Sequence, residues 1–275
     1  MGERKPKLSF WSLIAIFIAL FHLIPFYILI TTAFKDKTDF SSKWKFPNYI
    51  QWENFSEAWE RAHLGTGLAN TAIITFFSAL LLIIFGSLAA YPLARRKTKL
   101  NQFMYMLFIS IMVIPPLTAL VPLYQLVVDI GMMNTRTVAV LNNVAAYMPL
   151  TIFLYVGFIR SSIPAELEEA ARIDGASTVG IFFRIIFPLL KPVTASILII
   201  SCVYIWNDYQ FAIFFLQSEE VKTITVALSG FFGMNTNNLN LVAAASMIAM
   251  MPMLVLFLLL QKYFIQGLAA GSVKG

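Results

Sequence analysis

A long apolar run from Phe10 to Thr32 constrains this chain more than any other feature. Its roughly 20 residues are enough for a helix to cross a hydrocarbon core of about 30 Å. The run is too long for the apolar part of a secretory signal and lacks a small-residue cleavage site, so it is expected to remain as a first span of about 10–32. Five further apolar runs follow, at about 70–93, 103–123, 138–159, 193–216 and 240–260. Within lipid every backbone polar group needs a partner, and a helix supplies one inside each segment. The expectation is an all-α membrane protein with six transmembrane helices. With 59% hydrophobic and only 12% charged residues, the composition excludes an ordinary soluble domain.

The second half carries one long polar-containing interruption, Glu166 to Pro192. Pro164 suits a first helical turn, and Glu166, Glu168 and Glu169 then lie near the positive end of the helix dipole. At 3.6 residues per turn Leu167, Ala170, Ala171 and Asp174 share a short-side-chained face, while Glu168 and Arg172 stand four apart and can pair. Gly175 can take the left-handed conformation that ends a helix, Ser177 can cap the next one, and Pro188 should stop it. The segment reads as helix, turn, helix.

Polar residues inside the other spans need partners. For His22, beside Pro25, a hydrogen bond to a neighbouring helix outweighs a proton relay, and no chemistry is assigned to it. Pro115 and Pro116 must break the third span. Asn142, Asn143 and Tyr147 should point inward from the fourth. Asp208, flanked by Asn207 and Tyr209, is the only formal charge inside any span, which points to a bundle-interior or water-lined position on a solute path. An acid near the interface, capped by Asn207 or a partner helix, remains an open alternative.

Two loops stand out. Residues 35–68 carry five Lys/Arg and five acids, as a folded loop does, and Phe55, Ala58 and Trp59 at helical spacing suggest a short surface helix capped by Asn54 or Ser56. Residues 217–239 end in the Gly- and Asn-rich stretch GFFGMNTNN, expected to be flexible. The net charge of +6 sits at the ends of apolar spans, where lipid and orientation account for it without nucleic acid. Thirteen of the 20 Lys/Arg fall on one side of the six spans, the side of both termini and of the 160–192 loop, and that side is expected to be cytoplasmic.

The chain has no phosphate loop of the form G-x-x-x-x-G-K-[ST], no H-E-x-x-H and no G-x-S-x-G. Its two histidines are far apart, and its one cysteine, Cys202, lies in an apolar run, so neither metal nor nucleophilic catalysis has its residues and no intrachain disulfide is possible. On this reading the chain is no enzyme by itself and holds no metal.

Glu169, Ala170 and Ala171, then Gly175, then Ile185 and Pro188, resemble the cytoplasmic EAA loop of binding-protein-dependent ABC importer permeases, with Phe187 where that family usually has Leu. The outer helical loop, the Trp206-Asn207-Asp208 sequence, and Gly267, Gly271, Lys274 and Gly275 in the tail resemble the shorter permease of carbohydrate importers, such as the smaller membrane subunit of the maltose transporter. The resemblance implies a type I ABC importer fold in a bacterial or archaeal cell membrane, as a single transmembrane domain over 1–275. It implies that Glu169, Ala170, Ala171, Asp174 and Gly175 couple to an ATPase. The candidate path residues are Asn143, Asn207, Asp208 and Tyr209. The implied partners are a second permease, two cytoplasmic ATPase subunits that hold ATP and Mg, an extracytoplasmic sugar-binding protein, and membrane lipid. A permease of the same fold for a polyamine or glycerol phosphate is the nearest alternative, and an ion-coupled transporter using Asp208 the more distant one.

Overall fold

The computed structural model describes the backbone of residues 10–234 and 238–272, and side chains up to residue 231 and over 238–262. Arg4, Lys5, Lys7, Asn235 to Asn237, Lys274 and Gly275, which the sequence reading used, lie outside the described residues. The described chain is mostly helical and divides into two units.

The first unit comprises residues up to Gly65 together with 227–250. It contains α1 (Phe10–Ala33) and α2 (Glu53–Arg61). His22 Nδ1 lies 2.8 Å from the Ile18 carbonyl, so its partner is on its own helix and not on a neighbour. The loop after α1 is folded, as its charge balance suggested. Thr31 Oγ1 and Tyr27 Oη donate to the Lys43 and Trp44 carbonyls, each at 2.8 Å, and the buried Lys35 ammonium donates to Ser41 Oγ and the Ser42 carbonyl, also at 2.8 Å. Asn54 does not cap α2, and neither does Ser56; Trp52 holds the cap position and makes no side-chain cap bond. Asn54 is buried and donates to the Ala33 and Lys35 carbonyls at 2.8 Å each, while its Oδ1 accepts from Asn240 Nδ2 at 2.7 Å. The last carbonyls of α1 have no partner within the helix, and serving them outcompeted the cap.

The second unit comprises 66–226 and the chain from Met251 onward. Its helices are most of α3 (Leu64–Arg95), α4 (Lys99–Ile111), α5 (Leu120–Asp129), α6 (Arg136–Ser162), α7 (Glu166–Ile173), α8 (Thr178–Leu189), α9 (Lys191–Trp206) and α10 (Ala212–Phe215); α11 (Ile224–Met234) and α12 (Leu239–Ser272) run across the boundary between units. Two apolar cores hold this unit. One gathers Tyr91, Tyr155, Ile159, Ile181, Phe182, Ile186 and Leu190; the other gathers Ile74, Leu82, Val138, Ile205, Phe211 and Phe215. α3 and α6 approach closely because Gly86 has no side chain: a Cβ there would lie 2.4 Å from Thr151 Cγ2.

Helices Phe10–Ala33, Leu64–Arg95, Arg136–Ser162 and residues Leu239–Lys262 are each long and apolar enough to cross a membrane. Two bent pairs bring the number to as many as six, by length and apolarity. The pair Lys99–Ile111 and Pro116–Asp129 turns by 94°, a sharper result than the broken 103–123 span expected from Pro115 and Pro116. The second pair, Thr178–Leu189 and Lys191–Trp206, turns by 68°. α9 stops at Trp206, short of the expected end near 216, and the chain re-forms a helical turn only at Ala212.

Residues 217–222 are held in place. Asn134, with φ of 56°, accepts at Oδ1 from the Gln217 and Ser218 amides at 2.7 and 3.0 Å. Asn70 donates to the Glu220 and Lys222 carbonyls at 2.9 Å each and accepts from Arg136 Nε at 2.7 Å. The loop is therefore anchored at its start, and of the stretch expected to be flexible Gly230 to Met234 belong to a helix while Asn235 to Asn237 lie outside the described residues.

Candidate coupling surface and solute path

α7 begins one residue after Ala165, so Pro164 sits just outside the first turn it was expected to occupy. Its end follows the expectation. Gly175 has φ of 80°, its amide donates to the Arg172 carbonyl at 3.0 Å, and the Ala176 amide donates to the Ala171 carbonyl at 2.9 Å, the paired closure of a Schellman turn. Ser177 then accepts from the Gly180 amide at 3.1 Å and starts α8. Residues Phe182–Ile186 form a π-helical turn, and α8 continues through Pro188 to Leu189, one residue past the expected stop.

The inward face of α7 differs from the expected pairing. Glu168 does not meet Arg172 as an ion pair. It is buried, and its carboxylate accepts from Arg95 Nε at 2.6 Å and Tyr91 Oη at 2.7 Å, both from α3. Arg95 further donates to the Ile163 carbonyl at 2.8 Å and the Ile159 carbonyl at 3.3 Å. A buried carboxylate needs a cation and full hydrogen bonding, and α3 offers both where Arg172, four residues along on an exposed helix, would leave Glu168 facing water.

The expected coupling set splits. Glu169, Ala170, Asp174 and Gly175 are exposed together, whereas Ala171 shares the inward face with Glu168 and packs into the first core of the second unit. Leu167, Ile173 and Val179 complete the outward surface; Ile173 is 87% exposed. The sequence reading missed Ile173, Val179, Tyr91 and Arg95. An apolar Ile173 closing an otherwise charged helix was a usable signal, but Arg95 looked no different from Arg96 and Lys97.

The candidate path residues lie on α6 and on the chain just after α9, two helices in contact with each other. Tyr155 Oη and Thr194 Oγ1 are 2.9 Å apart, and farther along Tyr147 stacks on Tyr204 with ring centroids 5.9 Å apart and planes at 20°. One turn beyond this stack lie Asn143 on α6, which is buried, and Asn207 and Asp208 at the end of α9. Asn207, Tyr209 and the Tyr204 ring are exposed. Asp208 sits at the break between helices and not inside one: Oδ1 accepts from the Phe211 amide at 3.0 Å, and its carbonyl accepts from Thr225 Oγ1 at 2.7 Å.

Residues 82–270, which include α6 to α10 and the whole α7–α8 loop, match the family model of the binding-protein-dependent transport system inner membrane component. The chain belongs to that family. This permease chain is 67% identical over 274 residues to the melibiose/raffinose/stachyose import permease protein MelC of Bacillus subtilis, covering 100% of this chain and 99% of the relative. It is 33% identical to the probable starch degradation products transport system permease protein AmyC of Thermoanaerobacterium thermosulfurigenes, with 96% of each chain covered. A crystal structure of a bacterial ABC transporter involved in import of the acidic polysaccharide alginate contains a chain of the same fold, with a TM-score of 0.76 at 21% identity, covering 94% of this chain and 100% of that one.

Proposed function

We propose that this chain is one permease subunit of an ATP-driven importer for a small oligosaccharide of the melibiose, raffinose and stachyose kind. The observation that carries this reading is the end-to-end identity of 67% with a permease named for those sugars. The exposed Glu169, Ala170, Asp174 and Gly175 surface, with Leu167, Ile173 and Val179 around it, suits docking against a separate ATPase. The partners on this reading are a second permease, two ATPase subunits carrying ATP and Mg, and an extracytoplasmic sugar-binding protein. Both termini and the α7–α8 loop face the cytoplasm, in line with the Lys/Arg bias.

Coupling then follows from the contacts of α7. Closure of the ATPase on ATP moves α7, and Glu168 passes the motion to α3 through Arg95 and Tyr91, and to the end of α6 through the carbonyls that Arg95 holds. α6 carries Asn143 and Tyr147, so a shift of its end reaches the path. Asn143, Asn207, Asp208 and Tyr209 offer hydroxyl-binding donors and acceptors there, and the Tyr147–Tyr204 stack offers an aromatic surface.

The test is uptake of labelled raffinose and spermidine in a strain deleted for this chain and complemented with it. Raffinose uptake that depends on the chain and stops when the ATPase's phosphate-loop lysine is replaced is the expected result. Spermidine uptake instead would favour the non-sugar reading, and uptake that survives ATPase inactivation would favour an ion-coupled transporter.

A further inference from the structure

At the end of α3, a cleft of about 720 Å³ opens between that helix and the α7–α8 loop. Arg95, Arg96 and Arg172 line it, together with Tyr91 and the hydroxyls of Ser177 and Thr178. Of these three cations only Arg95 has an ion pair among the described residues. Among the described residues the ion pairs are Arg61 with Glu57, Arg95 with Glu168, and Lys222 with Glu219. Glu168 pairs with Arg95 and accepts from Tyr91, whose hydroxyl lies beside Arg172, and neither Arg96 nor Arg172 forms an ion pair of its own among the described residues. Two guanidinium groups that line one cleft without an ion pair of their own, beside hydroxyl donors, match an anion with several acceptor oxygens, such as a phosphate group.

The location selects its source. The cleft adjoins the last turn of a membrane-spanning helix and the basic run Arg95-Arg96-Lys97-Thr98-Lys99. Basic pockets at the cytoplasmic ends of spanning helices take anionic head groups, and the inner leaflet supplies them at high local concentration. We propose that this cleft holds the phosphate of an acidic phospholipid of the inner leaflet, bridging α3 to the coupling loop. The proposal goes beyond the transport reading and shares with it only the cytoplasmic placement of the loop. A bound lipid here makes the seating of α7 depend on membrane composition.

The test reads lipid retention directly. The membrane-extracted complex containing this chain is analysed by native mass spectrometry with phosphatidylglycerol and phosphatidylcholine present in equal amounts. Wild type is expected to retain phosphatidylglycerol, and Arg96→Gln and Arg172→Gln each to retain about fivefold less, the loss expected for one surface cation against an anionic lipid. Lys97→Gln, which does not line the cleft, is expected to match wild type. Equal retention in wild type and both cleft variants overturns the site. An equal loss in Lys97→Gln overturns it too, because it reports only diffuse surface charge. Displacement of the lipid by excess inorganic phosphate assigns the cleft to a soluble phosphate and overturns the membrane source. None of these readouts requires uptake, so failure here leaves the transport reading intact and failure of uptake leaves this one testable.

Discussion

Arg95, in the last turn of α3, donates to the Ile163 carbonyl at 2.8 Å, and Arg160, in the last turn of α6, donates to the Leu93 carbonyl at 2.9 Å. Each helix ends on the other's arginine. The carbonyls at a helix C-terminus lack partners and carry partial negative charge, so the exchange closes both ends at once. Arg160 also lies 5.0 Å over the Tyr105 ring, which adds α4 to the joint. Through Glu168 the same joint holds α7, so the candidate coupling surface rests on α3 and α6.

Removing Arg95 should break that joint. Arg95→Leu leaves Glu168 buried without a cation and is expected to cost about 3 kcal/mol, the usual penalty for breaking a buried pair from one side. The double variant Arg95→Leu with Glu168→Leu should recover part of the loss, since no orphaned charge remains. Thermal unfolding of the purified protein checks both. A double variant no better than the single would show that Glu168 is not what Arg95 stabilises.

Gly175 should tolerate Asn and reject Val. Its φ of 80° is accessible to Asn at small cost, whereas a β-branched residue is strained there by roughly 1–2 kcal/mol. Nothing lies within 4 Å of a Cβ at this position, so any penalty comes from backbone conformation and not from crowding. The ratio of sugar uptake to ATP hydrolysis in proteoliposomes is the measurement, with Gly175→Asn near wild type and Gly175→Val uncoupled. Equal coupling in both would mean that the turn is not required.

The features that the sequence reading found correctly are those set within a few residues. Ser177 and Gly175 act on neighbouring amides and carbonyls, so residue type alone reveals their roles. Glu168 reaches a partner 73 positions away, and nothing in its neighbourhood distinguishes Arg95 from the basic residues beside it. Asn54 was misread for the same reason, because its choice between a local cap and the distant end of α1 is decided by packing. Pro115 and Pro116 announced a break, but the 94° turn depends on what surrounds it.

Gly86 should be intolerant of a single methyl group. Gly86→Ala places a Cβ 2.4 Å from Thr151 Cγ2, and the β-branched threonine is held by the Oγ1 bond it donates to the Tyr147 carbonyl at 2.9 Å. Overpacking of this kind costs about 1–3 kcal/mol. Thr151→Ser removes Cγ2 and keeps the hydroxyl, so Gly86→Ala with Thr151→Ser should unfold closer to wild type than Gly86→Ala does. No rescue would place the crowding elsewhere.

Asp39, in the loop after α1, should stay ionised far into acid. Hydrogen bonds from Ser41 and then from Tyr49, whose Oη donates at 2.7 Å, lower its pKa from the usual carboxylate range to about 2. A depressed folded pKa contributes stability that is present above the unfolded value near 3.8 and is lost as pH falls from there toward 2. Around neutrality the loop should therefore show no pH dependence from this group. Tyr49→Phe removes one of the two side-chain donors and should raise the Asp39 midpoint, read by carboxyl NMR on labelled protein; an unchanged midpoint would remove Tyr49 from the account.

Asp208 separates a structural from a transporting role because its two substitutions act differently. Asp208→Asn keeps an oxygen to accept from the Phe211 amide, now 3.0 Å from Oδ1, and removes only the charge. Asp208→Leu removes both, and loss of a cap of this kind costs about 1 kcal/mol. If Asp208 serves as a cap beside a path for neutral sugar, Asn should transport nearly as wild type and Leu should transport less, with lower thermal stability. If the charge itself is used, as in proton coupling, Asn should fail as completely as Leu. Wild-type uptake in both variants would remove Asp208 from the path. The path would then rest on Asn143, Asn207, Tyr209 and the exposed Tyr204 ring, which Tyr204→Ala tests on its own by uptake at constant expression.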